Sequence, residues 1–187
     1  MPEIMSSRYF FALWPPGELR EELARKLREH SKRAGGRRVP PGNYHITLVY
    51  LGPVGEEPLA CLRGAAGKLH GSPFVLSLDH GGWWRRPQVG WIGTAEVPEA
   101  LKALQAALNG AVRACGLKGD ERPYVPHLTV LRKLRRPFHL RLEPALEWPV
   151  RDFVLVESAD VGGGVEYRVL ERWPLLPEGG NDEDTPG

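Results

Sequence analysis

Apolar and polar positions along the chain follow two periods, one typical of amphipathic helices and one typical of strands. Three stretches carry leucines at helical spacing, and seven shorter stretches are rich in aromatic and β-branched residues bounded by Gly or Pro. The predicted helices cover residues 17–36, 56–69 and 98–116, and the predicted strands lie within 8–15, 42–52, 72–84, 87–97, 125–132, 149–160 and 164–175. Strands and helices mixed in this order predict an α+β fold.

Two of the predicted strands begin with the same polar pattern. His45 and Thr47 lie in GNYHITLVYLG, and the same pattern recurs with His127 and Thr129 in VPHLTVLR. Side chains alternate across a strand, so each histidine shares a face with its threonine while the intervening apolar residues face a core. The motifs lie nearly half the chain apart. This spacing predicts a duplicated, bilobal architecture with one motif in each lobe.

An imidazole and a hydroxyl from each of two neighbouring strands suit phosphodiester chemistry without a metal. In-line attack at phosphorus needs a base for the proton of the nucleophile and an acid for the departing oxygen. Histidine, with an ordinary pKa near 6.5, can fill either role near neutral pH. Threonine hydroxyls can donate hydrogen bonds to the non-bridging oxygens, where charge is held in the transition state.

Packing competes with chemistry as the explanation of these motifs. A single His-x-Thr strand is common and is mostly structural, but its recurrence in both halves favours a functional pair. His70, His80 and His139 have no matching threonine, and we interpret them as structural or surface residues. The six histidines show no spacing typical of a metal site, so we predict neither a metal nor a cofactor.

Composition and charge place further limits on the interpretation. The formal net charge is +2, and acidic residues after Pro177 leave the rest of the chain mildly basic. Such a balance suits an anionic ligand but does not by itself indicate nucleic acid. We expect residues 1–177 to form a single bilobal domain. Residues 178–187 are acidic and rich in Gly and Pro, which predicts a disordered tail.

Cysteine usage and hydropathy indicate the compartment. Cys61 and Cys115 each lie in a predicted helix without metal-binding spacing, and we interpret them as reduced thiols of a cytosolic protein. No stretch approaches the roughly 20 apolar residues that span a bilayer, and the N-terminus does not resemble a signal peptide. We therefore expect a soluble, cytoplasmic protein that has no membrane contact and is a monomer.

The motifs HITL at residues 45–48 and HLTV at 127–130 resemble the doubled signature of the two-histidine (2H) phosphoesterases. RYFFALWPP, YVPHLTVLRK and LVESADVGGGVEYRVLERWPL look like the LigT-like branch, the RNA 2′,3′-cyclic phosphodiesterases. The resemblance covers nearly everything from Arg8 to Leu176. It implies two lobes of antiparallel sheet related by a pseudo-two-fold axis, with helices packed outside and an active-site cleft between the lobes.

The same resemblance implies a reaction and a role for each motif residue. The expected reaction is hydrolysis of a 2′,3′-cyclic phosphate at an RNA end to a 2′-phosphate, and some relatives also form 2′–5′ RNA linkages. His45 would be the general acid that protonates the departing 3′ oxygen, and His127 the general base that activates water. Thr47 and Thr129 would hold phosphate oxygens. Arg132 matches a phosphate-binding arginine, although strict alternation puts it on the face opposite His127.

Other features leave alternatives open. The basic run RKLRR at 132–136 is typical of a solvated loop, or of a track for an RNA backbone. Trp83, Trp84 and Trp91 could stack on bases, although packing in the core or over a hairpin is the commoner use, and Tyr124 is a further candidate for stacking. An enzyme for small cyclic nucleotides would use the same motifs. So would a non-catalytic module that binds RNA ends or nucleotides.

Overall fold

The computed structural model describes residues 7–177, which form nine strands, three helices and one 3₁₀ turn. The strands are β1 (Arg8–Leu13), β2 (Arg37–Arg38), β3 (Ile46–Gly52), β4 (Phe74–Trp84), β5 (Val89–Gly93), β6 (Leu128–Arg132), β7 (Leu140–Val150), β8 (Asp152–Asp160) and β9 (Val165–Pro174). The helices are α1 (Gly17–Ala34), α2 (Glu56–Gly67) and α3 (Glu99–Ala114), and the 3₁₀ turn is Pro41–Asn43. The predicted α+β class is confirmed. The predicted tail at 178–187 lies outside the described residues.

The described strands form one antiparallel sheet in the order β7-β4-β5-β6-β3-β1-β8-β9, with the short β2 beside β6. At its centre β3 and β6 pair only through Ile46 and Leu128. Two four-stranded halves therefore meet along a narrow seam, as expected for two related lobes. His45 and His127 immediately precede the two central strands, so both motifs begin at the seam.

The helices cover one face of the sheet and leave the other face open near the seam. The larger apolar core takes one stripe from each helix, with Leu23, Leu62 and Leu104 as examples. The opposite face carries a much smaller buried cluster, formed by Phe10, Ala12, Val154 and Val156. Polar side chains at the centre of that second face therefore remain accessible to a ligand. Within residues 7–177, no helix is long and apolar enough to cross a membrane.

β3 and β6 each carry a bulge just after the threonine of the motif. Two consecutive residues of β1 pair with residues of β3 that are two positions apart, so Leu48 between them is the extra residue. β6 pairs with β5 in the same way, and its extra residue is Val130. A bulge inserts an unpaired residue, bends the strand and redirects the side chains that follow. The two bulges occupy equivalent positions, so the likeness of the lobes extends beyond the motifs.

β7 is a strand that the apolar pattern does not predict, since the predicted strand begins only at Pro149. The observed strand starts at Leu140 and contains both Pro144 and Pro149. Proline has no backbone N–H to donate to a neighbouring strand and usually indicates the end of a strand. It is tolerated, however, on an edge strand. β7 lies at one edge of the sheet, which explains why it accommodates two prolines.

The expectation of two reduced cysteines is wrong. Cys61 of α2 and Cys115 at the C-terminal end of α3 form a disulfide. The two helices pack side by side and bring the Cα atoms to 5.8 Å, a separation that a disulfide spans. Cys61 lies in a helix as predicted, whereas Cys115 follows the last residue of α3. Their approach depends on tertiary packing, because 54 positions separate them in the chain.

Candidate active site

His45 and His127 face the same cleft, which opens at the seam between the two halves of the sheet. Thr47, Thr129 and Arg132 also line it, so the five residues that the motifs single out lie together. The cleft measures about 760 Å³, a volume typical of pockets for small ligands. Both imidazoles can therefore contact a single ligand in this cavity.

Both imidazole rings are held in the same way by the backbone. Nδ1 of His45 lies 2.8 Å from the carbonyl oxygen of Asn43, and Nδ1 of His127 lies 2.9 Å from that of Val125. A carbonyl oxygen can only accept, so each Nδ1 carries the proton and donates it. This arrangement leaves Nε2 of each ring as the atom that can take up or release a proton.

The His45 ring lies in an aromatic pocket at the inner end of the cleft. Phe10, Trp14 and Tyr167 surround it with ring-centre distances of 4.9, 5.7 and 5.1 Å, and the Trp14 ring is stacked on the imidazole. Burial lowers the pKa of His45 to about 4, against the opposing effect of the hydrogen bond to the Asn43 carbonyl. Nearby positive charge adds to the lowering. His45 is therefore neutral at pH 7 in the unliganded cleft.

His127 has a more open setting, with one aromatic neighbour among residues 7–177. Trp84 meets its ring edge to face, with the ring centres 4.5 Å apart. Burial lowers the pKa of His127 below its ordinary value, and the hydrogen bond to the Val125 carbonyl acts in the opposite direction. A neutral His127 with its proton on Nδ1 presents a lone pair on Nε2 to the cleft. That is the form required of a general base.

Arg132 reaches the cleft because of the bulge in β6. Strict alternation would turn it away from His127, but Val130 and Leu131 are both buried, and Arg132 comes next on the cleft side. Tyr50 takes the equivalent place in β3, after the bulge there, and it also lines the cleft. The two lobes thus present a cation and a phenol at matching positions, so the cleft is asymmetric in charge.

Residues outside the two motifs also line the cleft. They include Arg8 and Phe10 of β1, Ser158 of β8, Tyr167 of β9 and Arg86 of the β4–β5 turn. These residues lie outside the two motifs, and only the tertiary structure brings them to the cleft, where β1 lies beside β3 and β8 and β9 follow it in the sheet. The signal that could have found Phe10 and Tyr167 is their place in the stretches RYFF and GVEYR, which the family resemblance covers.

Arg20, in the first turn of α1, is a buried cation that connects two segments in contact with His45. Its Nε donates to the carbonyl of Pro15 at 2.7 Å, and its Nη1 donates to two carbonyls of the 3₁₀ turn. The guanidinium also lies 4.6 Å from the ring centre of Trp14, which stacks on the imidazole. The 3₁₀ turn supplies the carbonyl of Asn43 that fixes Nδ1. Arg20 therefore supports the His45 ring from two directions.

The candidates for base stacking have different positions. Trp84 lines the cleft, Trp91 packs beside it at 5.2 Å between ring centres, and Trp83 packs against the apolar core. The Tyr124 hydroxyl donates to the carbonyl of Thr47 at 3.0 Å, and its ring lines a smaller pocket that adjoins the cleft. Trp84 is thus the tryptophan available to a ligand in the cleft, and Tyr124 supports β3.

The three histidines that we interpret from sequence as structural or surface residues lie away from the cleft. His70 and His139 are exposed, and His80 bonds to Asp79 at 2.6 Å between Nδ1 and Oδ1. None of these three histidines lines the cleft. Within residues 7–177, no group of three or more His, Cys, Asp or Glu side chains could hold a metal ion.

Comparison with known proteins identifies the relatives of this chain. A family model described as the 2′-5′ RNA ligase superfamily matches residues 15–162, a range that includes both histidine motifs. The chain belongs to the 2′-5′ RNA ligase superfamily. Membership confirms the resemblance to the two-histidine phosphoesterases that the paired motifs indicate.

Curated members of this superfamily align with the chain over most of its length. An Escherichia coli protein named RNA 2′,3′-cyclic phosphodiesterase is 34% identical over 90% of this chain and 96% of its own length. A Thermus thermophilus protein of the same name is 31% identical over 94% of each chain. An Archaeoglobus fulgidus protein, again of the same name, is 32% identical over 87% of this chain and 97% of its own length.

Solved structures of superfamily members share the fold. The crystal structure of E. coli LigT complexed with 3′-AMP aligns with a TM-score of 0.81 at 32% identity, over 91% of this chain and 98% of that one. E. coli LigT complexed with phosphate aligns with a TM-score of 0.79 at 30% identity, over 92% and 99% of the two chains. The sheet with its three covering helices is therefore the superfamily architecture.

Proposed function

We propose that this superfamily member hydrolyses RNA 2′,3′-cyclic phosphate ends to 2′-phosphate ends without a metal, using His45 and His127. The observation that carries the proposal is the pair of Nε2 atoms in one cleft, each left available by a hydrogen bond that fixes Nδ1 on the backbone. The names of the E. coli and Thermus thermophilus relatives support the substrate class.

Each of the two rings carries out one proton transfer in a single displacement at phosphorus. Water attacks the phosphorus while Nε2 of His127 takes one of its protons. The bond from phosphorus to the 3′ oxygen breaks, and that oxygen takes a proton from Nε2 of His45. The products are a 2′-phosphate and a free 3′ hydroxyl, and a proton passing through solvent from His127 to His45 restores the site.

His45 must be protonated to act as the general acid, but the unliganded cleft favours its neutral form. Burial and the positive charges of Arg132, His127 and Arg20 keep the pKa of His45 low. A cyclic phosphate brings a negative charge into the same cleft, which favours the imidazolium form and raises this pKa. We therefore place proton uptake by His45 together with substrate binding, which makes the acid available only when a phosphate is present.

Thr47, Thr129 and Arg132 would hold the non-bridging oxygens of that phosphate. Both hydroxyls and the guanidinium line the cleft on the same side as the rings. Hydrogen bonds and positive charge placed where oxygen charge grows are the larger part of catalysis at phosphorus. A 5′ hydroxyl in the place of water could attack the same cyclic phosphate, with the 3′ oxygen again leaving, and this step would join two RNA ends through a 2′–5′ linkage.

The size of the cleft favours a second candidate substrate. A cavity of about 760 Å³ also accommodates a mononucleotide, and the E. coli LigT structure has 3′-AMP bound. A phosphodiesterase for small cyclic nucleotides would use the same two histidines. Comparison of kcat/KM for a cyclic-ended oligonucleotide and for a nucleoside 2′,3′-cyclic phosphate separates the two functions.

The proposed function predicts hydrolysis of an oligoribonucleotide with a 2′,3′-cyclic phosphate end, in the presence of EDTA, to a 2′-phosphate product alone. Phosphorus NMR of the product distinguishes the 2′ from the 3′ isomer. Activity that disappears in EDTA and returns with a divalent ion would contradict the metal-free mechanism. Binding of the oligonucleotide without any turnover would instead favour a non-catalytic module.

The contacts of Arg20 lead to a prediction about positioning. We expect Arg20→Lys to lower kcat on the order of tenfold with little change in KM, since small misplacements of a catalytic group are costly. Lysine keeps the charge, but its ammonium cannot bond to the Pro15 carbonyl and the 3₁₀ turn together. The measurement pairs steady-state kinetics with the ring nitrogen NMR signals of His45.

The control for this variant lies on the same helix. Arg25 is exposed and pairs with Glu22 at 3.8 Å, so Arg25→Lys should leave both kcat and the His45 signals unchanged. A structural role for Arg20 alone would lower the free energy of unfolding without moving those signals. Unaltered kcat and unmoved His45 signals in Arg20→Lys would show that Arg20 does not position the ring.

A further inference from the structure

Three segments of the chain meet at one end of the cleft. β2 pairs with β6, which places Arg37 directly opposite Arg132. The connection after β6 is tied to the β4–β5 turn by a hydrogen bond of 3.0 Å from the amide of Leu134 to the carbonyl of Gln88. The three segments therefore form a continuous surface, and it begins at Arg132 and Arg86, which line the cleft.

Six of the exposed cations in these segments make up what we call the basic rim. They are Arg37, Arg86, Arg132, Lys133, Arg135 and Arg136. Within residues 7–177, no carboxylate lies within ion-pair distance of any of the six. By contrast, Arg122 at another side of the cleft is paired with Asp120 at 3.2 Å. The rim thus carries concentrated positive charge without a compensating acid in the described part of the chain.

The pairing of two rim residues inside the sheet opposes folding. Like charges directly opposite on neighbouring strands destabilise a sheet, and Arg37 and Arg132 form such a pair. Opposite residues of an antiparallel pair project from the same face. Since Arg132 lines the cleft, Arg37 extends the positive surface outward from it. A bound polyanion would relieve this repulsion, whereas contact with solvent alone would leave the two like charges unpaired.

The opposite end of the cleft has mixed charge. Asp160 and Arg8 both line it, and Glu166 is exposed on the adjoining strand β9. A chain of phosphates that leaves the cleft would be attracted at the rim and would meet carboxylates at the other end. The charge distribution therefore gives a direction to any strand that extends beyond the cleft.

We infer that the basic rim binds backbone phosphates of an RNA strand whose 2′,3′-cyclic end occupies the cleft. The inference rests on the proposed function and adds to it a binding surface outside the cleft and the direction in which the RNA strand leaves the cleft. Phosphates before the reacting end would contact cations outside the cleft. An oligonucleotide should then have a higher kcat/KM than a nucleoside 2′,3′-cyclic phosphate, with stronger salt dependence.

The test neutralises two rim residues that do not line the cleft, Arg135→Gln and Arg136→Gln in one variant. The matched control replaces two exposed cations away from the rim, Lys68→Gln and Lys118→Gln. Each protein is assayed on a cyclic-ended oligonucleotide and on cytidine 2′,3′-cyclic phosphate. Raising the salt concentration from about 50 to 200 mM should lower kcat/KM for the oligonucleotide. Because the rim variant lacks two phosphate contacts, this fall should be roughly sevenfold smaller for the variant. Turnover of the mononucleotide should stay unchanged.

Two outcomes would overturn the inference. One is a rim variant that behaves like the control on the oligonucleotide, and the other is an equal loss on both substrates. A binding experiment separates this inference from the proposed function. It uses fluorescence anisotropy to measure the binding of an oligonucleotide that ends in a 3′-phosphate. This oligonucleotide has no cyclic ester to hydrolyse. Weaker binding by the rim variant would support the rim even if none of the proteins hydrolysed the cyclic-ended oligonucleotide, a result that would contradict the proposed reaction. Binding equal to the control would again overturn the rim.

Discussion

Replacing His127 by glutamine should lower kcat by roughly 10²–10⁴-fold, and His45→Gln should have an effect of the same size. Each ring carries out one of the two proton transfers through Nε2. A glutamine amide can donate a hydrogen bond but cannot take up or release a proton at that place. At pH 7 both variants should remain folded, and His45→Gln should lose more stability than His127→Gln because the His45 ring packs among Phe10, Trp14 and Tyr167.

Steady-state kinetics on a cyclic-ended oligonucleotide and urea unfolding, both at pH 7, measure these two effects. His139→Gln is the matched control, since His139 is exposed and does not line the cleft. It should retain both activity and stability. If the His45 and His127 variants lost activity only in proportion to the fraction of unfolded protein, the two histidines would be structural and the proposed mechanism would be wrong.

The central part of the site follows from local sequence because strand alternation is a local property. His45 and Thr47 must share one face of a strand whatever surrounds it, and the same holds for His127 and Thr129. Their burial pattern agrees, with the motif residues partly exposed and the apolar residues between them buried. What alternation leaves open is whether the two strands are neighbours. The pairing of Ile46 with Leu128 supplies that answer.

Arg132 shows where alternation fails. From sequence it faces away from His127, yet it lines the cleft, because the bulge at Val130 adds one residue to β6. A bulge is defined by the register with a partner strand, and that register lies in β5, outside the motif. The same limit applies to Tyr50, which has no local signal and reaches the cleft through the corresponding bulge in β3.

Other differences have the same origin in tertiary structure. β7 tolerates Pro144 and Pro149 because it is an edge strand, and its place at the edge is a property of the whole sheet. Cys61 and Cys115 form a disulfide because α2 packs beside α3. Arg20 illustrates the limit most clearly for function. It reads as one of several charges on an amphipathic helix, but it is buried and bonded to the turn that precedes His45.

The low pKa of His45 predicts that the protein loses stability as the pH falls from about 6.5 to 4. The folded protein holds this ring neutral down to a pKa of about 4, chiefly because it is buried, whereas in the unfolded chain the ring titrates near 6.5. Between these values the unfolded state binds the extra proton, so acid favours unfolding. Above pH 6.5 the ring is neutral in both the folded and the unfolded state, and by pH 4 proton binding to the unfolded state lowers the free energy of unfolding by up to about 3 kcal/mol.

Carboxylates also titrate toward the lower end of this window, so the prediction concerns the difference between two proteins. Urea unfolding of the unmodified protein and of His45→Gln at several pH values should give a shallower decline for the variant, by up to about 3 kcal/mol across the window. His70→Gln is the control, because His70 is exposed and its loss should leave the slope unchanged. Saturating inorganic phosphate should flatten the decline of the unmodified protein as well, since an anion in the cleft favours the imidazolium form. Equal slopes for His45→Gln and the unmodified protein would show that the aromatic pocket does not hold His45 neutral, and the proposed uptake of a proton on substrate binding would then lose its physical basis.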